Sequence, residues 1–236
     1  MTEALYMNDS YLKKWNAKVI SVKENKYIKL DKTAFYPKGG GQPHDEGYMI
    51  KNGEKFKVLY VGKFSGQISH EIDKAGLKEG DRVSCELDWE RRYTFMRHHT
   101  ASHLISSILY KRAGAKITGN QLGLKQTRID FSMKDYAPEK LKEYVEEANR
   151  IIQKNLPITI DYMSRDDVLN RPELARLAIG LPSNIKKLRI IKIGDIDEQV
   201  DGGTHVKHLE EIGNIEVVKT VNKGKNNRRM YVILKK

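Results

Sequence analysis

The chain has 236 residues, enough for one large or two small domains with a buried core, and 39% of them are hydrophobic, as in ordinary soluble proteins. No apolar run approaches the length of a membrane span and the first residues lack a signal-peptide core, so a cytoplasmic protein is expected and a transmembrane or exported one is not. Cys85 is the single cysteine, which excludes an intramolecular disulfide; within the alternating run 82–87 it reads as a small core residue and not as a nucleophile. Lys and Arg number 43 against 31 Asp and Glu, a net charge of +12 with a pI of about 9.5. Such an excess favours a polyanion as partner, although surface charge also serves plain solubility.

Up to about residue 88 the pattern is one of short β-rich runs, at 18–22, 27–30, 48–51, 57–61, 67–72 and 82–87, separated by Lys/Glu/Asn, Gly and Asp clusters. Six strands with no intervening helix predict a small antiparallel β-barrel. After Trp89 the spacing of Phe95, Ile105, Ile108 and Leu109 predicts a helix over 91–111 with Gly114 as its stop. A strand follows at 127–133. Pro138 then opens a second helix, 139–154, with Leu141, Val145, Ala148, Ile151 and Ile152 on one stripe. Strands at 158–163 and 188–193 flank a short polar helix at 166–171. Strands at 215–221 and 229–234, joined by the polar turn 222–227, close the chain. The expected fold class is α+β: a barrel domain, 1–88, then a two-layer domain, 89–236, with two helices against a mixed sheet. There is no internal repeat and no low-complexity tail.

The chemistry concentrates in two places. His99 and His103 are four apart in Arg97-His98-His99-Thr100-Ala101-Ser102-His103, which puts both on one helix face, while His98 points about 100° away. Asp201-Gly202-Gly203-Thr204-His205 offers a carboxylate and a third imidazole at the same spacing, behind two glycines that allow close backbone approach. His99, His103 and His205 would give zinc three nitrogen ligands, and Asp201 either a fourth ligand or a group orienting water from the next layer. His208 is the rival for the fourth position. A helical His pair alone is more often merely buried or exposed; the second segment is what favours one zinc ion per chain. A metalloprotease helix is excluded because Thr100 stands where HExxH needs Glu, and a purely structural site is disfavoured because it would be rich in cysteine. The second place is residues 35–47, Phe-Tyr-Pro-Lys-Gly-Gly-Gly-Gln-Pro-His-Asp-Glu-Gly, whose three glycines suit either a loop over a ligand or an ordinary hairpin turn.

Both segments, in this order, resemble one family. The chain looks like a free-standing alanyl-tRNA editing protein of the AlaX group, related to the editing domain of alanyl-tRNA synthetase. Residues 35–47 resemble that family's glycine-rich motif, His99 to His103 its HxxxH, and Asp201 to His205 its CxxxH region; Arg128-Ile129-Asp130-Phe131 and 224–229 are also similar. The resemblance covers nearly the whole chain, at the length of the medium-sized forms. Asp201 departs from it, standing where the family usually has Cys; aspartate is a harder ligand of shorter reach.

The resemblance implies an aminoacyl-tRNA hydrolase that deacylates Ser-tRNA(Ala), with Gly-tRNA(Ala) as a further expected substrate, a second sieve for errors that a pocket for a small apolar side chain rejects poorly. A water associated with Zn2+ would attack, with no protein nucleophile, the metal either activating that water or aligning the 3′-terminal adenosine. Gly39, Gly40, Gly41 and Gln42 are expected at the aminoacyl end. Thr118 and Asn120 would read the serine hydroxyl, unless they only form a strand edge. Arg91, Arg92, Arg97, Lys111 and Arg112 are expected at phosphates of the acceptor stem. No obligate protein partner is evident. The alternatives are editing of another mischarged tRNA, such as Ser-tRNA(Thr), and a catalytically silent RNA-binding homologue; the intact histidine set speaks against the latter.

Overall fold

The computed structural model describes residues 2–134, 137–175 and 185–235. The chain divides into two compact units, Met1–Phe95 and Met96–Lys236.

The first unit contains β1 (Glu3–Ala4), β2 (Lys14–Lys23), β3 (Tyr27–Leu30), β4 (Lys32–Thr33), β5 (Gly47–Lys51), β6 (Glu54–Phe64), β7 (Gln67–Ile72) and β8 (Arg82–Leu87). Strands β2-β3-β7-β6-β5-β8 close into the expected antiparallel barrel. Closure follows from the two-residue period: Trp15, Ala17 and Val19 of β2, Phe56 and Val58 of β6, and Ile68, His70 and Ile72 of β7 face inward while their neighbours face water. A closed sheet leaves no edge to pair with another chain. The parallel pair β1–β4 was not foreseen, because two residues carry no period. Cys85 is fully buried, and burial pushes its thiol up, away from the thiolate form a nucleophile needs.

Two buried polar groups organise this unit. His70 is held from both sides: the carbonyl of Ile28, which only accepts, lies 3.0 Å from Nδ1, so Nδ1 carries the hydrogen and Nε2 accepts from the Thr33 hydroxyl at 2.9 Å. Arg92 lies in the first turns of helix α1 (Trp89–Ala113). Its Nε donates to both Asp45 oxygens (3.1 and 3.0 Å), Nη1 to the Ser10 carbonyl at 2.9 Å, and Nη2 to Ala34 O and Asp45 Oδ2. Both side chains of the pair are 0% exposed. This corrects the expectation of a phosphate contact: Arg92 is spent inside the protein, on a carboxylate 47 positions earlier, which spacing cannot reveal.

In the second unit α1 continues, buried at every residue from His98 to Leu109, until Gly114 at φ +60° ends it. It is followed by β9 (Lys116–Gln121), β10 (Thr127–Ser132), α2 (Pro138–Ile152), β11 (Ile158–Ser164), α3 (Arg165–Leu169), β12 (Lys187–Ile193), β13 (Asp197–Val200), β14 (Asn214–Asn222) and β15 (Asn227–Lys235). The strands form two antiparallel sheets, β14-β15-β10-β9 and β11-β12-β13, in place of the single mixed sheet expected. Hairpin-like neighbours need no crossover, so antiparallel pairing is the shorter solution. Helix α2 buries the anticipated stripe Leu141, Val145, Ala148, Ile151 and Ile152. It is tied to β14 by Asn149, whose amide exchanges two 2.8 Å bonds with the backbone of Ile215. Strand β9 is anticipated only as a strand edge at Thr118 and Asn120, and β13, with four residues, went unread. Among the described residues no helix is long and apolar enough to cross a membrane.

Removing one partner of the Arg92–Asp45 pair strands a buried charge, so Asp45→Ala is expected to lose about 3–5 kcal/mol in denaturant unfolding, and the Arg92→Leu/Asp45→Leu double variant less than either single Leu variant. The pH response of His70 has a defined sign. Burial lowers its pKa to about 4 in the folded protein, against 6.5 unfolded. Below pH 6.5 the unfolded chain therefore binds a proton that the folded one refuses, and stability falls as pH drops from 6.5 to 4. His70→Gln should flatten that fall by about 3 kcal/mol, measured as the wild-type-minus-variant difference in unfolding free energy across this range.

Candidate metal centre

Helix α1 delivers His99 and His103 one turn apart, and the segment leaving β13 delivers Asp201 and His205. The four side chains converge. His99 Nε2 lies 3.6 Å and His103 Nε2 3.8 Å from Asp201 Oδ1, and His205 Nε2 lies 3.0 Å from Asp201 Oδ2. One ligand atom from each is within 4.8 Å of every other. A tetrahedral site with bonds of about 2.0–2.1 Å has edges of roughly 3.3–3.4 Å, so the donors stand close to the spacing that zinc requires. The imidazoles are 2%, 2% and 4% exposed and Asp201 is also largely enclosed, so water does little to separate the charges.

The electrostatics suit a cation. Burial lowers the pKa of His99 to about 4 and that of His205 well below its ordinary value, in each case outweighing the pull of Asp201 and keeping the nitrogen lone pairs. Burial acts the same way on His103, but the carboxylates of Asp197 and Asp201 outweigh it and hold its pKa up at about 9, so a metal ion bound there has to displace a proton. Burial also opposes ionisation of Asp201, yet His99, His103 and His205 keep its carboxyl well below the usual range. A carboxylate among inward-facing nitrogens is an arrangement that a divalent ion neutralises.

An outer layer holds these groups in place. Asp197 Oδ2 lies 3.5 Å from His103 Nδ1, a carboxylate–histidine pair of the kind that orients metal ligands. The buried Arg189 donates from Nη1 to the carbonyls of Asp201 (3.0 Å) and Gly203 (2.8 Å), fixing the turn of the 201–205 segment. The Gly203 N–H donates to Asp201 Oδ2 at 2.6 Å. A Cβ at Gly203 would overlap the His99 ring, whereas one at Gly202 would meet nothing within 4 Å. Of the two glycines singled out in the sequence, the second is the one the site cannot lose. Asp197 and Arg189 were missed; neither has a spacing signal, since each acts through the fold.

The remaining candidates are scattered. His98 turns away and meets Thr127 Oγ1 at 3.0 Å, and His208 is exposed before a short 3-10 turn; neither joins the four donors. Gly39 and Gln42 exchange both backbone hydrogen bonds, at 3.1 and 2.8 Å, around Gly40 (φ +56°) and Gly41 (φ +80°). Two positive φ values in a two-residue loop are the mark of a type I′ hairpin turn. Gly40 and Gly41 are exposed at its tip, while Gln42 is 1% exposed and not presented at the surface. Thr118 and Asn120 lie on the edge strand β9, where pairing with β10 skips Thr118 and makes it a bulge. Arg91 bonds the His44 carbonyl and Glu46, and Arg97 the Ile212 carbonyl, so both are largely engaged; Lys111 and Arg112 are exposed, the former donating to the Ile196 carbonyl and the latter paired with Glu147.

Both units of this chain have counterparts in a class of protein associated with tRNA charging. Residues 5–91 match the family model described as tRNA synthetases class II (A), and residues 188–231 match that of the threonyl and alanyl tRNA synthetase second additional domain. The chain is 47% identical to the alanyl-tRNA editing protein AlaX-M of Methanosarcina barkeri, with 99% of each chain covered. It is 41% identical to that of Saccharolobus solfataricus over the full length of both. It also matches, at 38% identity over 93% of its length, a quarter (24%) of the alanine–tRNA ligase of Thermococcus kodakarensis. The chain belongs to the AlaX-M family of alanyl-tRNA editing proteins.

The contrast between neighbouring glycines gives a direct check on the geometry. Gly203→Ala is expected to weaken zinc binding at least 10-fold in chelator competition by displacing His99, while Gly202→Ala should stay within about twofold of wild type.

Proposed function

We propose that this protein is a trans-acting hydrolase that removes serine, and also glycine, wrongly esterified to tRNA(Ala), at a site formed by His99, His103, His205 and Asp201. The observation that carries the reading is the convergence of these four donors in a chain of the AlaX-M family. In the reaction the oxygen of water bonds to the ester carbonyl carbon, the bond to the ribose oxygen breaks, and a proton passes to the released hydroxyl. When bound, zinc supplies Lewis acidity for that step. The three imidazoles hold it, and Asp201 serves as fourth ligand or as acceptor for the attacking water. No side chain is asked to be a nucleophile, in keeping with the buried, protonated Cys85.

Substrate contacts follow from what is exposed. The bulged Thr118 with Asn120 supplies polar groups for a serine hydroxyl, and the exposed backbone of Gly40 and Gly41 is a separate surface open to substrate. Lys111 and Arg112 provide charge for phosphates of the acceptor stem. Alanine fits wherever serine fits, so selectivity must come from a polar group that alanine leaves unpaired, worth a few kcal/mol.

Deacylation of seryl-, glycyl- and alanyl-tRNA(Ala) and seryl-tRNA(Thr), run in parallel, tests the proposal. Seryl-tRNA(Ala) is expected to be hydrolysed at least 10-fold faster than alanyl-tRNA(Ala) and seryl-tRNA(Thr), with His103→Ala losing both activity and stoichiometric zinc. Equal rates on seryl- and alanyl-tRNA(Ala) would rule out proofreading.

A further inference from the structure

Thr100 sits between the two helical histidines, 0% exposed, and is bonded on three sides. Its hydroxyl donates to the Met96 carbonyl one turn earlier at 3.0 Å and accepts the Val206 N–H at 3.3 Å. His205 Nδ1 lies 3.1 Å from the same oxygen. A hydroxyl has one hydrogen and two lone pairs. With the hydrogen on Met96 and one lone pair on Val206, the contact to His205 closes only if Nδ1 is the donor.

We propose that Thr100 is a positioning residue that fixes His205 as the Nδ1–H tautomer and so keeps the Nε2 lone pair for the metal. The proposal rests on the zinc reading and deepens it. An uncharged imidazole protonated at Nδ1 has its lone pair on Nε2, the atom 3.0 Å from Asp201 Oδ2; a carboxylate only accepts, so two acceptors at that distance call for a cation held between them, which the four-donor cluster is built to take. If the hydroxyl pointed to Nδ1 instead, Nε2 would carry the hydrogen, donate it to Asp201, and be closed to a metal. The back-bond to Met96 opposes that rotation, and the β-methyl stiffens χ1 so that one hydroxyl position is held. Thr100 thus does for His205 what Asp197 does for His103. It also gives a role to the residue that stands where a zinc protease would have its glutamate.

Zinc alone, titrated into the purified protein against a competing chelator, is the probe. Thr100→Val, nearly isosteric but unable to accept, is expected to weaken zinc binding 10- to 100-fold; Thr100→Ser, which restores the oxygen, should stay within about threefold of wild type. A Thr100→Val protein that folds and binds zinc as tightly as wild type would overturn the proposal. Should that variant fail to fold, 15N NMR of the zinc-loaded wild type decides. The His205 ring should show a protonated Nδ1 and a metal-shifted Nε2, and coordination through Nδ1 overturns the assignment. A wild-type protein that takes up no zinc would sink the metal reading itself, a failure distinct from a zinc-binding protein indifferent to Thr100.

Discussion

Confining three imidazoles and a carboxylate in a space with little water is the constraint on which the second unit depends. Each of these groups would gain more solvation outside, and bringing them together costs free energy that the surrounding packing must offset. The unit meets this cost by pairing. Asp197 backs His103, the Gly203 amide and the three imidazoles surround Asp201, and Arg189 ties down the carbonyls of the segment that carries Asp201 and His205. The centre of α1 makes the same point from the other side. Seven of its buried residues between His98 and Leu109 are polar, a composition that packing alone would not choose.

Asp201 changes the character of the site relative to the cysteine that its family resemblance suggests. A thiolate is large, soft and content without hydrogen bonds, whereas a carboxylate offers two oxygens that need partners. The geometry gives each oxygen different work. Oδ1 faces His99 and His103, and Oδ2 faces His205 and takes the Gly203 amide. The backbone amide thereby satisfies the oxygen that a sulfur would not have had.

Much of this was legible from residues alone, for identifiable reasons. The barrel strands follow a period of two and α2 a period of 3.6, so both kinds of element declared themselves in the chain. His99 and His103 needed only helix geometry to share a face, and the glycines before His205 signalled close approach. What escaped were facts of pairing across distance. Arg92 looks like one more member of a basic run, and only folding brings Asp45 to it. Asp197 is one acidic residue among many until β13 sets it beside His103. The glycine triplet was read toward a ligand loop, whereas its backbone first satisfies the demands of a tight turn between buried Tyr36 and Asp45. Net charge proved the weakest guide, because it counts Arg91, Arg92 and Arg97 as free although carbonyls and carboxylates occupy them.

The commitment of Arg92 to Asp45 also bears on how such a chain can be assembled from parts. The carboxylate lies in the connection before β5 and its cation in the first turns of α1, so the pair spans the boundary between the last barrel strand and the helix. Cutting the chain directly after β8 would leave a buried anion without its cation. The smallest self-sufficient piece is accordingly the six strands together with the opening turns of the helix that follows. A barrel made on its own has to extend past Arg92 or replace both charges at once.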